Sequence, residues 1–308
     1  MLMKHPLVSI IIPVFMNESS LHTLYVQIKH AIHDERYVYK FELIFIDDGS
    51  TDNSYDELKK LQRIDAQVRI FRFTKNFGQP QAIKAGMQQA KGECVINMSA
   101  DLQDPPTLIQ SMLAKWKKGY KIVICQRAER DDGILTNITS GIFYTIMNKI
   151  IPGIPKNGFD YFLLDISVIQ ILRSYMTRHS FIQGEILLTG YTPYYIPYKR
   201  LKRIYGKSQW TIGKKVKYFI DGIITLSYVP IRFVSFCGIL FSFIGFCYAS
   251  VIVALRLYNK TPFPGYAPIM IVLLFATGII MITTGIIGEY IWRIYDMLKN
   301  KPDFIIKK

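Results

Sequence analysis

Asn97-Met98-Ser99-Ala100-Asp101-Leu102-Gln103-Asp104-Pro105-Pro106 follows the apolar run Cys94-Val95-Ile96. Such a run, bounded by polar residues, reads as a buried strand, and the prolines sit where a helix would begin its first turn. Carboxylates at the C-terminal end of a strand lie where open α/β sheets bind ligands. Oxygen ligands there suit a hard divalent cation, which can grip a diphosphate. Ser99 stands where a second metal-facing carboxylate is expected, leaving water or Asp104 to fill its place.

Outward from this stretch the chain alternates. Val8–Phe15, Phe41–Ile46 and Val68–Phe73 are strand-like, with helices predicted over Ser19–His33, Asp52–Ile64 and Gln79–Ala90. Pro106–Lys118 then reads as a helix and Lys121–Cys125 as a strand. Strands separated by helices of this length imply an α/β fold, a mostly parallel, Rossmann-like sheet with helices on both faces. After Arg130 the pattern loosens into a helix at Ile134–Ile150, short strands at Phe159–Leu164 and Tyr194–Tyr198, and the basic run Lys199-Arg200-Leu201-Lys202-Arg203.

The last third changes character. No charged residue occurs from Phe233 to Leu255, nor from Thr261 to Gly288. Each window exceeds the roughly 20 residues that cross a hydrocarbon core, so the expectation is two transmembrane helices joined by a turn near Asn259–Gly265. Trp210–Ser227 mixes Lys214, Lys215 and Lys217 with apolar residues, as an amphipathic interfacial helix does. The expected organisation is a globular domain over 1–208, an interfacial segment over 209–232, two crossings within 233–288 and a tail over 289–308.

Residues 7–15 are short for a signal peptide and lack an Ala-x-Ala site, so they read as the first strand, which leaves the N-terminal domain cytosolic. Lys and Arg flank the apolar pair on both outer sides, with only Arg256 and Lys260 near the turn, so both termini are expected in the cytosol. The formal charge of +15 is then better explained by anionic lipid than by nucleic acid. The four cysteines and five histidines show no metal-ligand or triad spacing.

Three strand ends should converge on one sheet edge: Pro13 to Glu18, Asp47 to Asp52, and Asp101 with Gln103 and Asp104. Asp48-Gly49-Ser50 alone is also an ordinary turn and helix cap. Three acidic strand ends in register argue for a ligand site.

The set Pro13…Asn17-Glu18, Ile46-Asp47-Asp48-Gly49-Ser50-Thr51-Asp52, Asn76-Phe77-Gly78-Gln79…Ala85-Gly86 and Ala100-Asp101-Leu102-Gln103-Asp104-Pro105 resembles family 2 glycosyltransferases of the GT-A fold. Arg203-Ile204-Tyr205-Gly206-Lys207-Ser208, the apolar pair and Gly288–Tyr295 narrow the resemblance to polyprenyl-phosphate glycosyltransferases. These include bactoprenol glucosyltransferases, undecaprenyl-phosphate aminoarabinose transferases and dolichyl-phosphate mannose synthases.

The resemblance implies that Pro13, Glu18, Asp47 and Asp48 contact the nucleoside, and that Asp101 and Gln103 hold Mg²⁺ or Mn²⁺. Arg127 and Arg130 would add charge near the phosphates. Arg200, Arg203, Lys207 and Ser208 would receive the lipid phosphate. Asp160 matches an Asp near the reacting centre of relatives, although Phe162 stands where they carry Arg. The implied reaction moves one sugar, with inversion, from a nucleotide sugar such as a UDP-sugar to a polyprenyl phosphate such as undecaprenyl phosphate. It would run at the cytosolic face of the inner or plasma membrane, for the cell envelope. A homo-oligomer such as a tetramer and a flippase partner are compatible with the resemblance, and Gly278, Gly285 and Gly288 would permit close helix packing. Two other readings stand beside it. A processive polysaccharide synthase would carry Gln-x-x-Arg-Trp and more membrane helices, and this chain has only Gln209-Trp210. A membrane scaffold without activity is kept in view by Ser99 and Phe162.

Overall fold

The structure is a computed structural model that describes residues 5–33, 39–128, 145, 147–155, 158–175, 181–201, 222, 229–257, 267–299 and 301–307. The chain divides into two units: Met1–Thr225 with Pro302–Lys308, and Leu226–Lys301.

The first unit is built on one seven-stranded sheet, ordered β3-β2-β1-β4-β6-β5-β7. Its strands are β1 (Leu7–Val14), β2 (Lys40–Asp47), β3 (Val68–Arg72), β4 (Cys94–Asn97), β5 (Ile122–Arg127), β6 (Phe162–Asp165) and β7 (Pro193–Tyr198). Helices α1 (Glu18–Ile32), α2 (Ser54–Ile64), α3 (Gln79–Gln89), α4 (Leu108–Lys117), α5 (Ile166–Tyr175) and α6 (Ile182–Leu188) complete it. Only β6 runs antiparallel to its neighbours, β4 and β5; the other pairings are parallel. Each strand expected from the sequence is present.

Ile10-Ile11-Ile12 does not alternate because a central parallel strand is covered on both faces. Val8, Ile10 and Ile12 of β1 share one core with Leu21, Leu24 and Ile28 of α1, Leu58 and Leu61 of α2, and Met112 of α4. Ile11 joins the opposite core, with Ala82 and Ala85 of α3 and Val168, Ile169 and Leu172 of α5. Gly86 lets α3 lie directly on β1, since a Cβ there would come within 2.3 Å of Ile11 Cγ2.

Strand direction then gathers the polar ends. β1, β2, β4, β5 and β7 all end on one edge of the sheet, and antiparallel β6 begins there. Val14, Asp47, Asn97, Arg127, Tyr198 and the residues just before Phe162 therefore meet on that edge.

The second unit holds α7 (Val229–Leu257) and α8 (Ala267–Leu298). Within them Pro230–Tyr248 and Phe275–Leu298 are long and apolar enough to cross a membrane, by length and composition. Phe233, Phe246, Ile280 and Met281 are exposed, whereas the core helix of a water-soluble protein would bury such side chains. α8 continues past Gly288 to Leu298, so the helix reaches well into what the sequence reads as tail. The expected helix at 134–150 is described only at 145 and 147–150, and the interfacial segment only at Gly222 and from Val229 on; the joining turn lies outside the described residues. A second difference is at the C-terminus: Ile306 pairs antiparallel with Phe73 beyond the end of β3, so these terminal residues belong to the sheet-bearing unit.

Candidate active site

The first corner of the site is made by the ends of β1 and β2. Asp47 is fully buried at the end of β2. The Ser50 backbone N–H donates to its Oδ1 at 2.9 Å, and Arg72 Nε forms an ion pair with its Oδ2 at 3.1 Å. That ion pair does not have hydrogen-bond geometry at Oδ2. Asp48 is engaged differently: it accepts the Phe77 N–H at 2.7 Å and the Gly78 N–H at 2.9 Å, holding the loop after β3. Gly49, at φ +70°, lies so close to that loop that a Cβ would meet the Lys75 carbonyl carbon at 2.5 Å. The β1–α1 and β2–α2 loops are laced together. Met16 N–H donates to Ser50 Oγ, Asn17 N–H to Ser54 Oγ, and Asn53 N–H to Glu18 Oε2. Glu18 is thus exposed but partly committed to the α2 terminus, and Pro13 is half-buried in β1.

The second corner is the loop after β4. Leu102 adopts φ 62°, and its side chain is buried. A left-handed backbone costs a non-glycine residue about 1–2 kcal/mol, which burial of Leu102 in the core offsets. The turn puts Asp101 and Gln103 outward, the Gln103 N–H donating to Asp101 Oδ1 at 3.3 Å. Asp104 faces inward, where it accepts the Tyr198 hydroxyl at 2.7 Å and the Ser99 N–H at 3.1 Å. Ser99 Oγ lies 2.5 Å from Asp104 Oδ2 and 2.8 Å from Asp101 Oδ1. The single hydroxyl proton can be donated to only one of the two at a time. Arg200 Nη2 is 3.9 Å from Asp101 Oδ2.

Gln103 reaches the strand-β7 side. Its Nε2 donates to the Leu201 carbonyl at 3.1 Å and its own carbonyl accepts the Leu201 N–H at 3.0 Å. Its amide oxygen is the side-chain group left for a metal.

The third corner carries Asp160. Arg127 Nη2 donates to Asp160 Oδ2 at 2.8 Å, and Gln183 Nε2 to Oδ1 at 3.2 Å. The Asp160 side chain is 41% exposed while that of Arg127 is buried, so the carboxylate faces outward over a fixed guanidinium. Burial disfavours the charge on Arg127, but Asp160, Tyr198 and Asp104 hold its pKa above the ordinary value. Burial and Asp104 raise Tyr198, which stays a neutral donor.

The structure therefore brings Pro13, Glu18, Asp47, Asp48, Asp101, Gln103, Arg127, Asp160 and Arg200 to one sheet edge. Two of them stand elsewhere than their expected partners: Arg127 is paired with Asp160, and Arg200 lies beside Asp101. Asp104, a candidate to fill the place of the missing carboxylate at Ser99, accepts from Tyr198 and lies against Ser99 Oγ. Arg130, Arg203, Lys207 and Ser208 lie outside the described residues. Sequence reading missed Arg72, Gln183 and Tyr198. Arg72 and Tyr198 had a signal, as polar residues closing strands whose neighbours end in the site; Gln183 had none. Among the described residues no group of three or more His, Cys, Asp or Glu side chains gathers as a metal site.

Residues 9–187 match the family model "Glycosyl transferase family 2". The chain belongs to this family. It is 33% identical over 303 residues to the SfII prophage-derived bactoprenol glucosyl transferase of Shigella flexneri, covering 98% of this chain and 97% of that one. It is 34% identical over 307 residues to the uncharacterized glycosyltransferase YkcC of Bacillus subtilis, covering 99% and 94%. Among solved structures, mannosyl-3-phosphoglycerate synthase from Rubrobacter xylanophilus superposes with a TM-score of 0.50 at 14% identity, covering 85% of this chain and 79% of that one. This likeness concerns the fold, a GT-A sheet. As a family 2 glycosyltransferase, the chain places its three polar corners on the sheet edge where such folds bind ligands.

Proposed function

We propose that this glycosyltransferase moves one sugar from a nucleotide sugar, a UDP-sugar, to a polyprenyl phosphate, undecaprenyl phosphate. The observation that carries the reading is the edge just described, in a chain that aligns through both apolar helices with a bactoprenol glucosyl transferase. Asp47, ion-paired with Arg72, would accept a base N–H, with Glu18, Pro13 and the loop held by Asp48 shaping the nucleoside pocket.

The loop after β4 offers only oxygen donors, which fit Mg²⁺ or Mn²⁺. Asp101, the Gln103 amide oxygen and the Ser99 hydroxyl would hold the ion. Bound there, it would neutralise charge on the diphosphate leaving group. The acceptor needs little base catalysis, because a phosphate monoester with a second pKa near 6 is largely dianionic at neutral pH. What the protein must do is bring two anions together. Arg200 is near enough to Asp101 to serve both phosphates, and Arg203, Lys207 and Ser208 follow it in sequence. Asp160, fixed by Arg127 and Gln183, would orient the sugar. Attack by the phosphate on the face opposite the leaving group inverts the anomeric centre, and proximity with charge neutralisation supplies the acceleration.

The two apolar helices would anchor the chain by crossing the membrane twice. Residues before and after them belong to one compact unit, which supports placing both termini on one side; lysine and arginine near the helices favour the cytosolic side. The test is the purified chain in nanodiscs with Mn²⁺, undecaprenyl phosphate and a panel of nucleotide sugars. Release of nucleoside diphosphate with one glycolipid product is expected. No release with any donor would turn the reading toward a scaffold, and a ladder of long polymer toward a processive synthase.

A further inference from the structure

β3 is an edge strand, and the last described residues of the chain close that edge. The Thr74 N–H donates to the Ile305 carbonyl at 3.0 Å and the Lys307 N–H to the Arg72 carbonyl at 2.7 Å. Phe304 stacks on Phe73 at 5.1 Å between centroids, and Phe73 packs edge-on against Phe77 at 5.6 Å. Asp303 forms an ion pair with Lys84 of α3, a lysine that is itself buried. The segment thus holds both ends of the β3–α3 loop: its entry at Arg72 to Thr74, and the helix that follows Gly78.

Protecting an edge strand is a sufficient reason for such a segment to exist. The contacts of the loop it holds go further. Arg72 is ion-paired with Asp47 and donates to the Ser50 carbonyl at 3.1 Å. Phe77 and Gly78 give both amide N–H bonds to Asp48. The Lys75–Asn76 peptide lies against Gly49 with no room for a methyl group. Apart from the β2–β3 ladder itself, the described contacts that the Asp47–Ser50 turn receives from the β3 side come from residues 72–78, which the C-terminal segment clamps.

We infer that residues 302–307 are a positioning element of the donor site: they fix the 72–78 loop against the Asp47–Ser50 turn and thereby set affinity for the nucleoside diphosphate. This rests on the nucleotide-sugar reading above. The segment touches nothing of the Asp101 loop or of Asp160 in the described contacts, so it should act on donor binding and not on the transfer step. The chain thus uses a segment reached only after both apolar helices to complete a site built from its first hundred residues.

The test compares the full-length chain in nanodiscs with Phe304→Ala, Asp303→Asn and a chain ending at Lys301, using UDP with Mg²⁺ as the probe in calorimetry. UDP binding should weaken about tenfold in Phe304→Ala and more in the truncated chain. The donor KM should rise in step, while kcat and the acceptor KM stay near those of the full-length chain. Gly49→Ala disturbs the same contact from the other side and should weaken UDP binding similarly. Amide exchange at Phe77 and Gly78 reads the clamp without ligand, and should speed about tenfold in Phe304→Ala. Unchanged UDP affinity in the folded point variants would overturn the inference, whatever the exchange rates and whether or not the truncated chain folds. Failure of the full-length chain to bind UDP would overturn the nucleotide reading and the donor role together, whereas equal binding by all variants overturns the donor role alone.

Discussion

Ser99 is the residue where the chemistry of this site is most exposed to test. Its hydroxyl stands between Asp101 and Asp104 with one proton for two carboxylates. Ser99→Ala should weaken Mn²⁺ binding by about tenfold, because Asp101 loses a neighbouring oxygen and its fixed position. Ser99→Asp places a third carboxylate among two. Without metal the variant should melt lower than the parent, and with Mn²⁺ the order should narrow or reverse; calorimetry and thermal melts with and without the ion check both. A melting temperature of Ser99→Asp that ignores Mn²⁺ would sink the metal assignment at this loop. Asp101→Asn should reduce transfer by about 10²–10³-fold with an unchanged fold, as loss of the charged ligand to the proposed divalent cation would; circular dichroism and nucleoside diphosphate release measure the two separately. The acidic strand ends were legible in the sequence because ligand-facing carboxylates break apolar runs at fixed places. Their division of labour was not: Asp101 and Asp104 are alike in sequence, and only the left-handed turn at Leu102 sends one outward and the other under Tyr198.

At the scale of elements, the antiparallel strand β6 and the helix that follows it show how a carboxylate holds secondary structure together. Asp165 ends β6, accepts the Ser167 N–H at 3.0 Å at the start of α5, and accepts Trp116 Nε1 of α4 at 2.7 Å. Burial raises its pKa, but the hydrogen bonds from Ser167 and Trp116 and from Lys121 outweigh this and leave it below the ordinary 3.8. A depressed carboxylate pKa gives stability that is complete above the unfolded value and is lost as pH falls through the folded one. Asp165→Ala should therefore cost about 1–3 kcal/mol near neutral pH. The difference from the parent in urea midpoint should hold down to about pH 5 and shrink as pH falls below about 4. A constant difference across that range would mean that packing, not the charge, is what the substitution removes. The strands and their order of appearance could be read from apolar runs of strand length. The reversed direction of β6 could not, since a short buried strand carries the same pattern whichever way it runs.

The whole molecule sets a topological condition. Residues up to Thr225 and from Pro302 on lie in one compact unit, which supports the proposal that the excursion through the two apolar helices starts and finishes on the same side. Tags at the N- and C-termini should both resist protease added to intact spheroplasts, and a cysteine introduced at Pro262→Cys should react with a membrane-impermeant thiol reagent. A C-terminal tag cleaved from outside would break the two-crossing reading. The sequence by itself determined the class of fold, the membrane-type helices and the residues that crowd the ligand edge, because each is a local pattern of period, length or charge. What only tertiary structure decided was pairing across distance: Arg127 with Asp160, Arg72 with Asp47, Tyr198 with Asp104, and the C-terminal segment with the edge of β3. Such partners are separated by tens to hundreds of residues, and nothing in the local pattern of either names the other. For Asp47, Asp104 and Arg127, which are buried, pairing is obligatory once the chain is folded, since an unpaired buried charge is strongly disfavoured.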